Sequence, residues 1–171
     1  MEDENLRFIQ VNFERFKAFK KYRVDLRKFN VLVGPNNAGK STIIAAFRIL
    51  AEAMRRAESR KADMIQGPRG RVYGHSVDLK SAFIAEENLF YDYDDDEPAS
   101  IEFKLSNGHR LTLYFPEQGA CYLVPDAQGR SCNSPSTFKN QFRCKIGFAP
   151  VLSPVDHYEN HIRKRRRERP Y

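Results

Sequence analysis

Tryptophan is absent from this chain and cysteine is scarce, with three residues in 171. Cys121, Cys132 and Cys144 are separated by ten and eleven residues, a spacing that matches no zinc-ligand pattern, and an odd number leaves one unpaired. Reduced, mostly buried thiols in a reducing compartment are the expectation. No run approaches the ~20 apolar residues that span a bilayer. Nothing like a signal segment follows the acidic start Met1-Glu2-Asp3-Glu4. These absences argue against a helical membrane protein and leave a soluble, cytoplasmic one with no membrane partner. Internal repeats are also missing.

What is present fits one globular domain. The chain is 41% hydrophobic and 30% charged, with 12% aromatic residues, enough for a real core and too apolar for a disordered chain. The net charge of +7 is unevenly placed: residues 163–169 alone supply +5, leaving +2 elsewhere. The basic balance therefore describes a tail and not a domain face.

The first third alternates strand-like runs with charged turns. Residues 6–13 are β-rich, and Phe13, Phe16 and Phe19 are interleaved with Arg15, Lys17 and Lys20. Tyr22, Val24 and Leu26 alternate with Arg23, Asp25 and Arg27, as in a half-buried antiparallel strand. Residues 29–33 (Phe-Asn-Val-Leu-Val) read as a central strand covered on both faces. A helix follows, with Ile43, Ile44, Phe47, Leu50 and Met54 at helical spacing, Arg48, Glu52, Arg55 and Arg56 opposite, and helix-forming sequence to about Lys61. Gly67-Pro68-Arg69-Gly70 marks a loop.

Two alternating runs, 101–105 and 111–115, flank Ser106-Asn107-Gly108. A two-residue turn would put their apolar sets on opposite faces. A three-residue loop with Gly108 left-handed pairs Leu105 with His109, Phe103 with Leu111 and Ile101 with Leu113, which gathers the apolar residues on one face. Ser134-Pro135 predicts a helix start, with a short helix to about Phe142, and residues 145–151 suggest another strand.

One motif carries chemistry. Gly34-Pro35-Asn36-Asn37-Ala38-Gly39-Lys40-Ser41 is a complete G-x-x-x-x-G-K-[ST] phosphate-binding loop between an apolar run and an amphipathic helix. Small residues let backbone N–H groups wrap phosphates, and the helix N-terminus adds dipole and free donors. Lys40 would reach the β- and γ-phosphates, Ser41 would ligate magnesium, and Thr42 would donate to the α-phosphate. The base-specifying N-K-x-D of GTPases is missing, and Asp126-Ala127-Gln128-Gly129 matches their D-x-x-G only formally.

Residues 29–42 closely resemble the Walker A region of ABC-type ATPases, especially the AAA-family branch containing RecF, SMC and the OLD (overcoming lysogenization defect) nucleases. Residues 11–19 (Val-Asn-Phe-Glu-Arg-Phe-Lys-Ala-Phe) are similar to that branch's N-F-[RK]-x-[FY] opening strand. Glu87-Asn88-Leu89-Phe90, the acidic loop and Ile101-Glu102-Phe103 resemble its antiparallel β-subdomain. The resemblance implies an α/β P-loop fold of ABC type: a mixed sheet, a helix after the P-loop, and a β-subdomain at about 76–124. It implies Arg15 or Lys17 near the nucleotide, and Mg-ATP bound between two heads. The partner is then a homodimer mate or a complementary lobe, and the context DNA repair or phage defence.

Residues 1–160 would be an N-terminal lobe and 161–171 a basic tail. No clear Walker B strand is present: Ala82-Phe83-Ile84-Ala85-Glu86-Glu87 lacks the magnesium-binding Asp. Leu105-Ser106-Asn107-Gly108 imitates the L-S-x-G-[QE] signature but sits at a hairpin turn. Hydrolysis by this chain alone is therefore doubtful, with Lys40 the catalytic residue if it occurs.

Weaker groupings have plainer explanations. His157 and His161 have metal-like spacing, but Glu159 is out of register for H-E-x-x-H. The carboxylates of residues 92–97 lack EF-hand spacing. Phe13, Phe16 and Phe19 could stack bases, but packing accounts for them. The tail at 163–169 could contact DNA phosphates, which makes a non-catalytic nucleic-acid-binding fragment the alternative function.

Overall fold

In the computed structural model the described residues are 6–67, 70–80, 89–94, 96–130 and 132–148. They form strands β1 (Phe8–Phe16), β2 (Phe19–Asp25), β3 (Asp63–Gly67), β4 (Gly70–Ser76), β5 (Ala99–Leu105), β6 (Arg110–Phe115) and β7 (Tyr122–Asp126). Two helices accompany them, α1 (Lys40–Ala57) and α2 (Pro135–Gln141). The strands make one seven-stranded sheet in the order β2-β1-β5-β6-β7-β4-β3.

Every strand pairing is antiparallel. The expected mixed sheet is thus corrected among the described residues. Within the run expected to form an antiparallel β-subdomain, at about 76–124, β5 pairs directly with β1.

The β5–β6 hairpin has the register that the apolar alternation demands, with Phe103 opposite Leu111 and Ile101 opposite Leu113. Gly108 closes it at φ 84°, a left-handed conformation that costs glycine little. Its N–H donates to the Leu105 carbonyl at 3.0 Å, and the Leu105 N–H donates to His109 at 2.9 Å. The imitation of the ATPase signature is therefore a bulged hairpin turn.

β1 breaks its own period. Val11 and Phe13 point inward, and Phe16 is also fully buried, because Arg15 takes a left-handed backbone (φ 53°) that skips one position. The inner face of the sheet receives α1, whose Phe47 ring meets Phe8 at 5.8 Å and Phe103 at 5.2 Å. α1 buries Ile43, Leu50 and Met54 of the expected stripe and packs Phe47 against the core, but it leaves Ile44 exposed and buries Ala46, Ile49 and Ala53 instead. Each fully buried Phe or Leu contributes roughly 1.5–3 kcal/mol of transfer free energy to this core.

α1 stops at Ala57, short of the Lys61 to which helix-forming sequence runs, and Asp63–Gly67, just beyond it, forms edge strand β3. α2 starts at the expected residue: Ser134 caps it by accepting from the Thr137 N–H at 3.2 Å, with Pro135 in the first turn. Its Phe138 and Phe142 are stacked and buried. Residues 145–148 form no strand, and 149–151 lie outside the described residues. All three cysteines are buried free thiols, as composition suggested, and burial pushes the Cys144 thiol up to about 11.

The largest departure concerns residues 29–33. They form no strand, and Phe29, Val31 and Val33 are 82%, 67% and 85% exposed. The expectation of a central, doubly covered strand is overturned. Locally, Asn30 closes on Arg27: its side-chain oxygen accepts from the Arg27 N–H at 3.0 Å and its amide donates to the Arg27 carbonyl at 2.9 Å. This turn ends the β2 trajectory. Among the described residues, none of the seven ladder strands pairs with 29–33.

No helix of the described residues is long and apolar enough to cross a membrane.

Candidate functional site

The phosphate-loop sequence forms a loop that runs directly into α1. Residues 34–38 are exposed, Gly39 is buried, Ser41 is exposed and Thr42 is buried. Asn37 and Gly39 both take left-handed backbones, at φ 67° and 81°, so the chain coils tightly before the helix. Asn tolerates that region better than most L-residues. The Ala38 N–H donates to the Pro35 carbonyl at 3.3 Å, and the Ile43 N–H donates to Gly39 at 3.1 Å.

The helix start is left open to an anion. Gly39 sits at the N-cap with no side-chain cap bond, and the first turn carries no acidic residue. The initial N–H groups of α1 thus keep their unsatisfied donors and their partial positive charge. Lys40 projects back over the loop, and its Nζ donates to the Gly34 and Pro35 carbonyls, each at 2.6 Å. An ammonium, a row of backbone donors and the exposed Ser41 hydroxyl therefore converge on one short segment. Residues 34–42 form the exposed loop and the first turn of α1.

Arg15 is placed differently. Its guanidinium pairs with Asp94 at 2.8 Å and Glu97 at 3.2 Å and also reaches the Asp94 carbonyl at 3.4 Å. The hydrogen bond that Arg15 donates to Asp94 raises the Arg15 pKa, and the same bond holds the Asp94 carboxyl below its ordinary value. Two carboxylates of the acidic segment, Asp94 and Glu97, are thereby engaged by an arginine. Among the described residues no cluster of three metal-ligating side chains exists. The Lys17 N–H donates to the carbonyl of Leu89, ahead of the acidic segment, at 2.8 Å.

Sequence reasoning missed how the β1–β2 hairpin meets the loop. The Phe19 ring packs against Gly39 so closely that an added β-carbon would lie 2.3 Å from its Cζ. Phe19 in turn stacks on Tyr22 at 4.5 Å between centroids. Hairpin alternation could have placed Tyr22 opposite Phe13, but the contact with Gly39 joins distant segments and leaves no local signal.

The formal Walker B run at 82–87, His157, His161 and the basic tail at 163–169 lie outside the described residues. A family model described as an AAA ATPase domain matches residues 8–141, which spans the sheet, the loop and both helices. No curated protein is matched by the chain.

Proposed function

The chain belongs to the AAA ATPase domain family, and from that premise we propose that it binds Mg-ATP through residues 34–42 as an ATPase lobe of the OLD/RecF/SMC branch. The observation that carries this reading is the open, acid-free start of α1 with the Lys40 ammonium folded over the loop. Backbone N–H groups of the loop and first helical turn would hold phosphate oxygens, and Lys40 would exchange its carbonyl partners for them. Lys40 is then the group that offsets negative charge on the phosphates during transfer.

Magnesium, when bound, would supply positive charge that offsets the negative charge of the phosphates. Ser41 is exposed in the first turn and would supply one hydroxyl ligand. A single protein ligand fits an ion that keeps several waters.

A complementary lobe or a second copy completes the site in this reading. Support comes from residues 29–33, an apolar run left open beside the loop, with Phe29 and Val33 more than four-fifths exposed. The branch assignment and its context, DNA repair or phage defence, rest on the resemblance of residues 11–19 and 29–42. Hydrolysis would need groups supplied by the partner, so ATPase activity per chain is expected to rise with protein concentration.

Calorimetric titration with Mg-ATP tests the reading. Saturable binding that weakens at least tenfold in Lys40→Ala supports it, and no binding by a cooperatively folded wild type refutes it.

A further inference from the structure

The β3–β4 hairpin is joined to the sheet at its base alone. β4 pairs with β7 only at His75 and Ser76, while its residues 70–74 pair with β3 and with no other described strand. The hairpin is therefore a two-stranded arm, and β3 is the free edge of the sheet at the end opposite β2. Such a ribbon is marginally stable by itself. This one carries apolar side chains on both faces. Met64 opposes Tyr73 on one, and they are 47% and 38% exposed. Ile65 opposes Val72 on the other, each partly buried.

The two edges of the sheet differ in their protection. β2 presents the exposed cations Lys20, Lys21 and Arg23, the kind of charge that keeps an edge strand from pairing with another chain. β3 has one charged residue, Asp63 at its start, no lysine, no proline and an unbroken register with β4. It is an edge left open.

We propose that β3 is a docking edge for a second copy of this chain, the two β3 strands pairing antiparallel about a two-fold axis centred on Ile65. No residue of the phosphate loop takes part, so the proposal is independent of the nucleotide reading. An axis normal to the sheet keeps each side chain on its own face, and a residue can then oppose only residues of its own parity. Centring on Ile65, the middle residue, is the register that pairs all of β3: Asp63 meets Gly67, and Met64 meets Gln66. On one face Val72, Ile65 and their counterparts become a continuous apolar row across both copies. On the other face each Met64 is covered by the facing Gln66. The charges suit this occupant. Asp63 confronts a glycine and no like charges are opposed, whereas centring on Asp63 would set two carboxylates against each other. A nearly neutral edge complements its own copy, and the basic β2 edge does not.

Sedimentation equilibrium of the full chain without nucleotide should show a reversible monomer–dimer equilibrium, and Lys40→Ala should leave it unchanged. Met64→Lys puts on β3 the charge that guards β2, at an exposed position. It should weaken the dimer roughly tenfold or more while circular dichroism shows the fold retained. Cysteine substitutions read the register. In Ile65→Cys the two β-carbons would face each other about 5 Å apart, so diamide should cross-link the copies readily. In Gln66→Cys the counterparts sit diagonally, about 7–8 Å apart, and should cross-link far less. Wild type, whose three cysteines are buried, is the control. A chain that stays monomeric at every concentration would leave the edge to an extended segment of another protein and overturn the assignment to a second copy. A dimer that Met64→Lys leaves intact, or equal cross-linking at positions 65 and 66, would also overturn it.

Discussion

The ring of Phe19 occupies the space that a β-carbon on Gly39 would need, so the β1–β2 hairpin and the phosphate loop are fitted to each other at a position where only glycine can stand. Gly39 meets two demands at once: the motif's left-handed turn, at φ 81°, and the approach of an aromatic ring. Gly39→Ala should destabilise the fold by about 2–4 kcal/mol, combining left-handed strain with overpacking. In the Phe19→Ala background the overpacking part disappears. Urea denaturation of the four proteins in a double-mutant cycle should therefore show the pair costing less than the sum of the singles.

Removing Arg15 should release the acidic segment. Arg15→Ala deletes the pairs to Asp94 and Glu97, and the Lys17 amide, which bonds to Leu89, should exchange with deuterium faster. The pH dependence follows from Asp94, whose folded pKa is held down by Arg15. A depressed carboxylate contributes stability above its unfolded pKa, about 3.9, that is lost as pH falls through the folded value. The melting difference between wild type and Arg15→Ala should be present at neutral pH and close on acidification below about pH 4.

His75 is buried at 2% exposure, and neither ring nitrogen has a hydrogen bond of good geometry. Burial lowers its pKa, outweighing the opposing effects of backbone groups of Cys132 and Arg60 and the charge of Asp63. A histidine kept neutral in the fold lets the unfolded state take up the proton first. Stability should therefore decline as pH drops below about 6.5. His75→Leu should flatten that decline and raise stability by about 1 kcal/mol by removing unpaired buried nitrogens. Denaturant melts at pH 7 and pH 5.5 check both.

Val31 is 67% exposed although it belongs to the most apolar run before the loop. Val31→Lys in a covered central strand would cost several kcal/mol, whereas here it should change stability by less than about 0.5 kcal/mol. If residues 29–33 receive the complementary lobe, the same substitution should abolish the concentration dependence of ATPase activity. Sedimentation with and without Mg-ATP separates the two effects.

What the sequence shows well is what neighbours decide. The phosphate loop, the Ser134 cap and the bulged register of β5–β6 follow from turn chemistry and side-chain parity within a few residues. The apolar run at 29–33 has the right composition for a buried strand, but coverage depends on partners far along the chain, and no described strand pairs with it. β3, for which the sequence offered no strand signal, is held by pairing with β4. Arg15 likewise reads as a free cation near a phosphate site until the fold brings Asp94 and Glu97 beside it. Phe19 reads as core, which it partly is, and its contact with Gly39 appears only when hairpin and loop are brought together.

The most direct measurement is a 15N-resolved NMR titration of the folded chain with Mg-ATP. The account expects saturable shifts concentrated in the backbone amides of residues 36–42, with a smaller set at Phe19, all lost in Lys40→Ala. Shifts confined to residues 163–169, or none in the loop at saturating nucleotide, would contradict the central claim that this loop is a working phosphate site.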